Sequence, residues 1–558
     1  MDGIRDFVSE NKFSAGIFTL LTLIMIILAY ALVTVQSNIG VAYWDIFLYL
    51  NNALKMAGMG VGDTLYLPPI LPFITSLFFK AGWVSETTLF AVSGVFYIAG
   101  ALGLYLLLKI RFNEWESMAG ALSFATFTIV IAWAASGALD VPSISLSIWA
   151  LYLTILSVKK DSRFFYLAFP VAMLAFLTRY TSGLIIIPML LVIYLNHPKK
   201  DQVKKALQGI IAGIIIYLPF MWYFYRNTGK PFPFSDLFVG TAAGAAGTNN
   251  PGYNLDISYY LKYIANYISS PAPSTYFQTL WPSFSEATIL AYAIMGVIII
   301  GIVIYLIKIL KNLFESESFK TSKKQVYLKI ILTAALGIIL ITTYAHMSFL
   351  YSEIILLMLS LSIYYLLKDL NLKHLDMDLL FFTWFGAFLL MHSFHPVKVD
   401  RYFITMIPPL AYGVALGINQ ISSLIKYKFS RWNATSLALS LFLILALLSS
   451  TAFYVSEMPQ KDDLQISEEA MAGWIKINVP DYLNQTMVSD RGPAFSWYLK
   501  KYVNTRIPGN VQPGTFEKTL NDLNADYYIY SAGKSPMELK GYTVIWKIDN
   551  VLLYKKNE

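Results

Sequence analysis

Residues 15–35 read AGIFTLLTLIMIILAYALVTV, and eight residues further on the chain reads Tyr43-Trp44-Asp45. The run carries no charge over 21 residues. At 1.5 Å per residue a helix of that length covers about 31 Å, enough to cross the roughly 30 Å hydrocarbon core of a bilayer. It is too long for a cleaved signal, and no small-residue cleavage site follows it, so it reads as an anchor. Asp45 then falls where the anchor meets water.

Similar runs recur near 88–108, 117–138, 141–158, 164–178, 181–196, 206–225, 287–309, 328–346, 349–367, 379–395, 402–425 and 433–454. The sequence therefore predicts a polytopic α-helical membrane protein of about thirteen transmembrane helices. The composition agrees: 56% of the 558 residues are hydrophobic and 14% are charged, where a soluble chain carries about 25% charged residues. Residues 460–558 break the pattern with 24 charged residues, twelve of each sign. The chain divides at this level into a transmembrane part, 1–454, and a small soluble α/β domain, 455–558. Within the tail, Ser467 to Ile477 and Phe516 to Leu523 read as helices. Met487 to Ser489 and Tyr527 to Tyr530 read as strands, and Thr543 to Tyr554 as a hairpin turning at Asp549-Asn550. The chain has no cysteine, which excludes disulfides, thiolate metal sites and cysteine nucleophiles. No basic run is dense enough for nucleic acid.

The net charge of +8 belongs to the first 459 residues, where cations mark cytoplasmic loops. With 164–196 read as two short spans broken at Arg179, 22 of 30 cations fall inside. That predicts a multi-pass plasma-membrane protein with a cytoplasmic N-terminus and an external C-terminal domain. Two further segments, 36–87 and 226–286, become external loops. Asp45 to Lys55 has apolar residues at helical spacing and reads as a helix lying in the interface plane. The tract Gly240 to Gly247 lacks large side chains. Tyr259, Tyr260, Tyr263 and Tyr267 read as an interfacial aromatic belt.

A transporter or flippase for a lipid or lipid-linked sugar is the alternative function, and it would place ionisable residues mid-span and show paired halves. Here they collect at the external ends of spans: Asp45, Asp63, Asp140, Arg179, Arg226, His392, His395, Lys398, Asp400 and Arg401 among them. That distribution suits reaction at the outer face. Asp45, flanked by aromatics at a lipid boundary, suits general-base work or helix capping. Asp140, before Val141-Pro142, reads first as a helix cap. Arg179 needs an anionic partner. Arg401, after His392, His395, Lys398 and Asp400, is either a phosphate fork or an interfacial anchor. His392 and His395, three apart, are a candidate metal pair with His346 or Glu353, so a divalent metal stays open as cofactor.

The chain resembles the GT-C class of membrane glycosyltransferases, in the branch of protein O-mannosyltransferases and lipid A aminoarabinose transferases. The resemblance rests on Tyr43-Trp44-Asp45-Ile46 after the first span and on Tyr66-Leu67-Pro68-Pro69 before the second. It continues with Leu139-Asp140-Val141-Pro142, Leu177-Thr178-Arg179 and Asp400-Arg401-Tyr402 followed by Pro408-Pro409. It implies a hexosyl or pentosyl donor on a polyprenyl or dolichyl phosphate and an acceptor hydroxyl on a glycan, lipid or protein, joined with inversion. Asp45 would be the base, and Arg401, with Arg179 or Arg226, would hold the phosphate; Asp63, Asp140, His392, His395 and Tyr66 are further candidates. Two departures stand out. Ile46 replaces the acid of the mannosyltransferase Asp-Glu pair, and no Trp-Trp-Asp-Tyr-Gly motif is present. Both favour transfer of a single sugar over protein mannosylation or en bloc transfer.

Overall fold

The computed structural model describes residues 12–41, 43–62, 64–235, 252–275, 281–370, 372–425, 428–429, 432–510, 514–531 and 537–557. Asp63 and the 240–247 tract lie outside them. Ten helices among the described residues are long and apolar enough to cross a membrane, beginning with Lys12–Ile39 and ending with Ala434–Ser456. A bent pair, Glu114–Thr126 and Thr128–Ala134, turns by 61° at Phe127 and forms either a broken span or a re-entrant loop. The protein is a multi-pass membrane protein. The expected count of thirteen differs at 164–196, which folds as Phe165–Thr178, a 3-10 turn Tyr180–Ile185, and Ile186–Leu195. Neither helix has the length to span a bilayer, because Arg179 leaves the helix with an extended backbone, φ −156° and ψ 118°.

Helix packing uses the small residues that allow backbones to approach closely in lipid. The helices Ile289–Glu315 and Ile407–Ser422 touch at Gly301 and Gly417, where a Cβ on Gly417 would run into the Val297 carbonyl. At one end of the bundle Asp378 pairs with Arg111 and accepts hydrogen bonds from Tyr305 and Tyr412 at 2.7 and 2.6 Å. Four segments are thereby tied at a single carboxylate.

The tail forms the expected α/β unit. Its five strands lie in the order Asn504–Thr505, Met487–Ser489, Tyr527–Tyr530, Val551–Lys556, Tyr542–Ile548; the first three are parallel and the last two are antiparallel additions. Alternation with period two sorts the side chains. Met487, Tyr527, Ile529, Val551 and Leu553 pack with helices Asp463–Asn478 and Gly492–Leu499. Val488, Tyr528, Leu552 and Tyr554 pack with helix Phe516–Asp522 on the other face. The expected elements are present within a few residues, and helix Gly492–Leu499 and strand Asn504–Thr505 are additions to them.

The helix expected to lie in the interface plane is instead enclosed. It runs Trp44–Ala57, ends at Gly58 in the left-handed region (φ 81°), and buries every residue from Ile46 to Leu54. One side packs on Leu89 and Phe90 of the bundle and the other on the tail. Phe47 meets Tyr498 edge-on at 5.5 Å, and Asn51 donates to the Pro493 carbonyl at 2.9 Å. Trp497 stacks on Phe79 and donates to Glu86 at 2.6 Å. This second partner, 442 positions away at the Asn51–Pro493 contact, keeps the helix out of the interface.

Gly417→Leu should lower the melting temperature in detergent by several degrees, since overpacking of this kind costs about 1–3 kcal/mol. Gly296→Ala, where nothing lies within 4 Å of the added carbon, should leave it unchanged; thermal-shift chromatography compares the two.

Candidate active site

Four charged side chains from distant parts of the chain converge at one end of the bundle. Asp45 comes from the first turn of helix Trp44–Ala57 and Asp140 opens helix Asp140–Lys159. Arg179 sits in the break between the two short helices, and Arg401 in the 3-10 segment Asp400–Met406. Arg401 donates through Nη2 to Asp45 at 2.6 Å, and its Nε lies 3.9 Å from Asp140. Asp140 is ion-paired with Arg179, whose Nε also donates to Thr181 at 3.0 Å. The side chains of Asp140, Arg179 and Arg401 are almost wholly enclosed, whereas Asp45 keeps 32% of its side-chain surface exposed. Two anions and two cations cancel, which is the condition for burying charge without a large desolvation penalty.

Neither aspartate acts as a helix cap. Tyr43 and Leu139 hold the cap positions, and no side-chain cap bond forms at either. Aromatic faces complete the enclosure. The Arg401 guanidinium lies 4.6 Å over Tyr43 and 5.2 Å over Trp133, and that of Arg179 lies 4.8 Å over Tyr402. Trp133 reaches the site because the chain bends at Phe127.

The Arg401 segment is fixed from behind. Asp400, fully buried, accepts hydrogen bonds from Tyr259 at 2.7 Å, Tyr267 at 3.1 Å and the Ser283 amide at 2.9 Å. Tyr259, Tyr260 and Tyr267 are therefore interior residues and not an interfacial belt. Lys398 donates to the carbonyls of His392 (3.1 Å), Ser393 (2.6 Å) and His395, closing the last turn of helix Leu375–Phe394. Burial pushes its ammonium down to about 8, while three carbonyls satisfy the protonated form. Lys398 and Asp400 thus serve the scaffold and do not join Arg401 in a phosphate cluster. His392 stacks on Tyr402 at 5.0 Å, and His395 engages the Val397 backbone through Nδ1. The candidate metal set of His392 and His395 with His346 or Glu353 does not assemble: among the described residues no group of three His, Asp or Glu is arranged to hold a metal.

A cavity of about 300 Å³ opens onto this cluster. Arg179, Arg401 and Asp140 line one part of it, and Pro68, Leu139, Tyr180, Phe349, Met391 and Phe394 supply an apolar wall. His395 also faces it, while Asp45 lies behind Arg401, outside the lining. Such a space fits an amphiphile with an anionic head. Arg226 is not brought there: it is exposed and stacks over Trp222 of its own helix at 5.3 Å. Tyr66 contributes its carbonyl, which accepts from Tyr180 at 2.7 Å, and its ring is exposed.

The structure superposes on ArnT from Cupriavidus metallidurans, solved bound to undecaprenyl phosphate, with a TM-score of 0.55 and 11% identity, over 95% of this chain and 97% of that one. It also superposes on the archaeal oligosaccharyltransferase AglB from Archaeoglobus fulgidus, in complex with an inhibitory peptide and a dolichol-phosphate. There the TM-score is 0.51 and the identity 13%, over 93% of this chain and 69% of that one. The chain has the GT-C fold. The family model for dolichyl-phosphate-mannose-protein mannosyltransferase matches residues 67–224. That segment includes Asp140 and Arg179 and stops short of Asp45 and Arg401. No curated protein sequence matches the chain. The fold expected from the short motifs is thus the one observed, at sequence identities that carry the fold alone.

Asp400→Asn weakens the anchorage of residues 252–275 and Ser283, because hydrogen bonds to a buried charge are worth about 1.5–3 kcal/mol. Limited proteolysis in detergent should cut this region at least about tenfold faster than in the parent.

Proposed function

We propose that the protein is a glycosyltransferase moving a single sugar from a polyprenyl- or dolichyl-phosphate donor to an acceptor hydroxyl on a glycan, lipid or protein at the external membrane face, with inversion. The observation that carries this reading is the cavity, which joins an apolar wall of Phe349, Met391 and Phe394 to the guanidiniums of Arg179 and Arg401. A lipid phosphate has both halves of that chemistry. The lipid phosphates bound to ArnT and AglB support the choice of donor class.

In this reading the donor phosphate rests on Arg401 and Arg179 with its first isoprene units along the apolar wall. The acceptor oxygen attacks the anomeric carbon on the side opposite the phosphate. The new C–O bond forms as the old one to the phosphate oxygen breaks, and the acceptor proton passes to Asp45. The leaving polyprenyl phosphate carries the displaced electron pair, and the two guanidiniums balance its growing charge. Asp45 suits the base because a third of it remains open while its neighbours are sealed. Asp140 is enclosed and paired with Arg179, which suits it to holding the clamp in place.

Purified protein in detergent, given a radiolabelled polyprenyl-phosphate sugar and candidate acceptors, should release lipid phosphate and form a glycosidic bond. No compartments exist there, so turnover excludes transport, and a lack of turnover with every donor would favour the transporter. Asp45→Asn should lower kcat by about 10²–10⁴-fold, the usual worth of general-base assistance. Arg401→Lys should lose at least about tenfold, because a point charge keeps the attraction without the fork.

Orientation is tested separately. In this cysteine-free chain, Lys540→Cys should react with an impermeant thiol reagent on intact cells and Lys204→Cys should not. Labelling of the latter alone would invert the assignment.

A further inference from the structure

Arg401 stands between two spaces. On one side it lines the cavity, and on the other its Nη2 is committed to Asp45 at 2.6 Å. Its Nε makes no hydrogen bond among the described residues, the nearest acid oxygen being Asp140 Oδ2 at 3.9 Å. Asp140 is occupied by Arg179. The four charges therefore sum to zero with Arg401 turned toward Asp45, and the same guanidinium is the one the cavity offers to an anion.

This arrangement conflicts with catalysis as it stands. The Asp45 oxygen that accepts from Nη2 is engaged by that guanidinium, so it is not free to receive the proton of an acceptor hydroxyl. A phosphate, with more acceptor oxygens and a planar match to the guanidinium fork, competes strongly for the same donors. We infer that Asp45 and the donor phosphate compete for Arg401, so that Asp45 becomes an effective base only after the phosphate has drawn the guanidinium away. Donor occupancy then switches on acceptor deprotonation, and the acceptor is not activated at a site without donor. No bond is made or broken in this step; one ion pair is exchanged for another. The inference rests on the proposed donor reading, and it adds the order of events and the residue that enforces it.

The exchange makes an unusual prediction for binding. Removing the internal competitor should improve affinity: with undecaprenyl phosphate as the probe, Asp45→Asn should bind about tenfold more tightly than the parent, equivalent to about 1.4 kcal/mol. Asp45→Glu, which keeps the charge, should stay near the parent value. Arg401→Ala should bind the probe more weakly, and Asp45→Asn added to it should bring no gain. If Arg401→Ala weakens binding while Asp45→Asn leaves it unchanged or weaker, the exchange is wrong and the donor reading stands. If Arg401→Ala binds as well as the parent, the donor reading itself fails and takes the exchange with it. A second measurement uses the unaltered protein, in case the Asn variant does not fold. Carbodiimide labelling of Asp45, followed by peptide mass spectrometry, should rise several-fold as undecaprenyl phosphate is titrated in, because a carboxylate released from the guanidinium is open to the reagent. Constant or falling labelling would overturn the exchange.

Discussion

One enclosed and one partly open carboxylate at the end of an apolar bundle need two cations, and this requirement organises the structure around them. Each enclosed ion left unpaired would cost several kcal/mol, so Asp140, Arg179 and Arg401, with Asp45 at the open side, tie together four segments of the chain. The requirement explains otherwise wasteful local geometry. Arg179 adopts an extended backbone and gives up a full-length span to reach Asp140. The helix pair at 114–134 bends at Phe127, and Trp133 faces Arg401. A straight helix at either place would leave a charge or an aromatic face out of reach.

Precision at Arg401 depends on what holds the helix before it. Helix Leu375–Phe394 is pinned at both ends: Asp378 gathers Arg111, Tyr305 and Tyr412 at one, and Lys398 closes the last carbonyls at the other. Asp400 then locks the next turn to Tyr259, Tyr267 and Ser283. The charge of Asp400 is spent on fixed donors with none left for its neighbour. Arg401 can therefore exchange partners while its backbone stays in place, which a side chain on a loose loop would not do.

What was legible in the sequence follows from how local the signal is. Apolar runs and period-two alternation are local, so the helices of the bundle and most of the tail strands were readable. Arg179 was readable as a break, because a cation in an apolar stretch interrupts the pattern. The pairing of Asp45 with Arg401 spans 356 positions, and no spacing rule encodes it; each residue stands out singly, by position and by resemblance. Capping was the natural reading for Asp140 before Val-Pro, and tertiary pairing overrode it. The tyrosines of 259–267 misled for the same reason: an aromatic cluster near a span end looks alike whether it meets lipid or a buried carboxylate 133 to 141 positions away. Arg226 had the right charge at a plausible end of a span, and its helix turns it outward.

The enclosed helix that carries Asp45 shows how the tail enters the chemistry of the bundle. Its core is continuous with that of the tail, so moving one moves the other. The tail also brings a cation to the neighbourhood, Arg491, whose guanidinium lies 5.9 Å over Trp44, the residue beside Asp45. Left free, that cation would compete with Arg401 for the same carboxylate. It is not free: fully buried Glu468 accepts from its Nε at 2.9 Å and from its Nη2 at 3.4 Å. A bidentate pair of this kind is specific and strong. Glu468 thus satisfies the tail's own arginine within the tail, and Asp45 is left with Arg401 as its ion-pair partner, the cation that also faces the cavity.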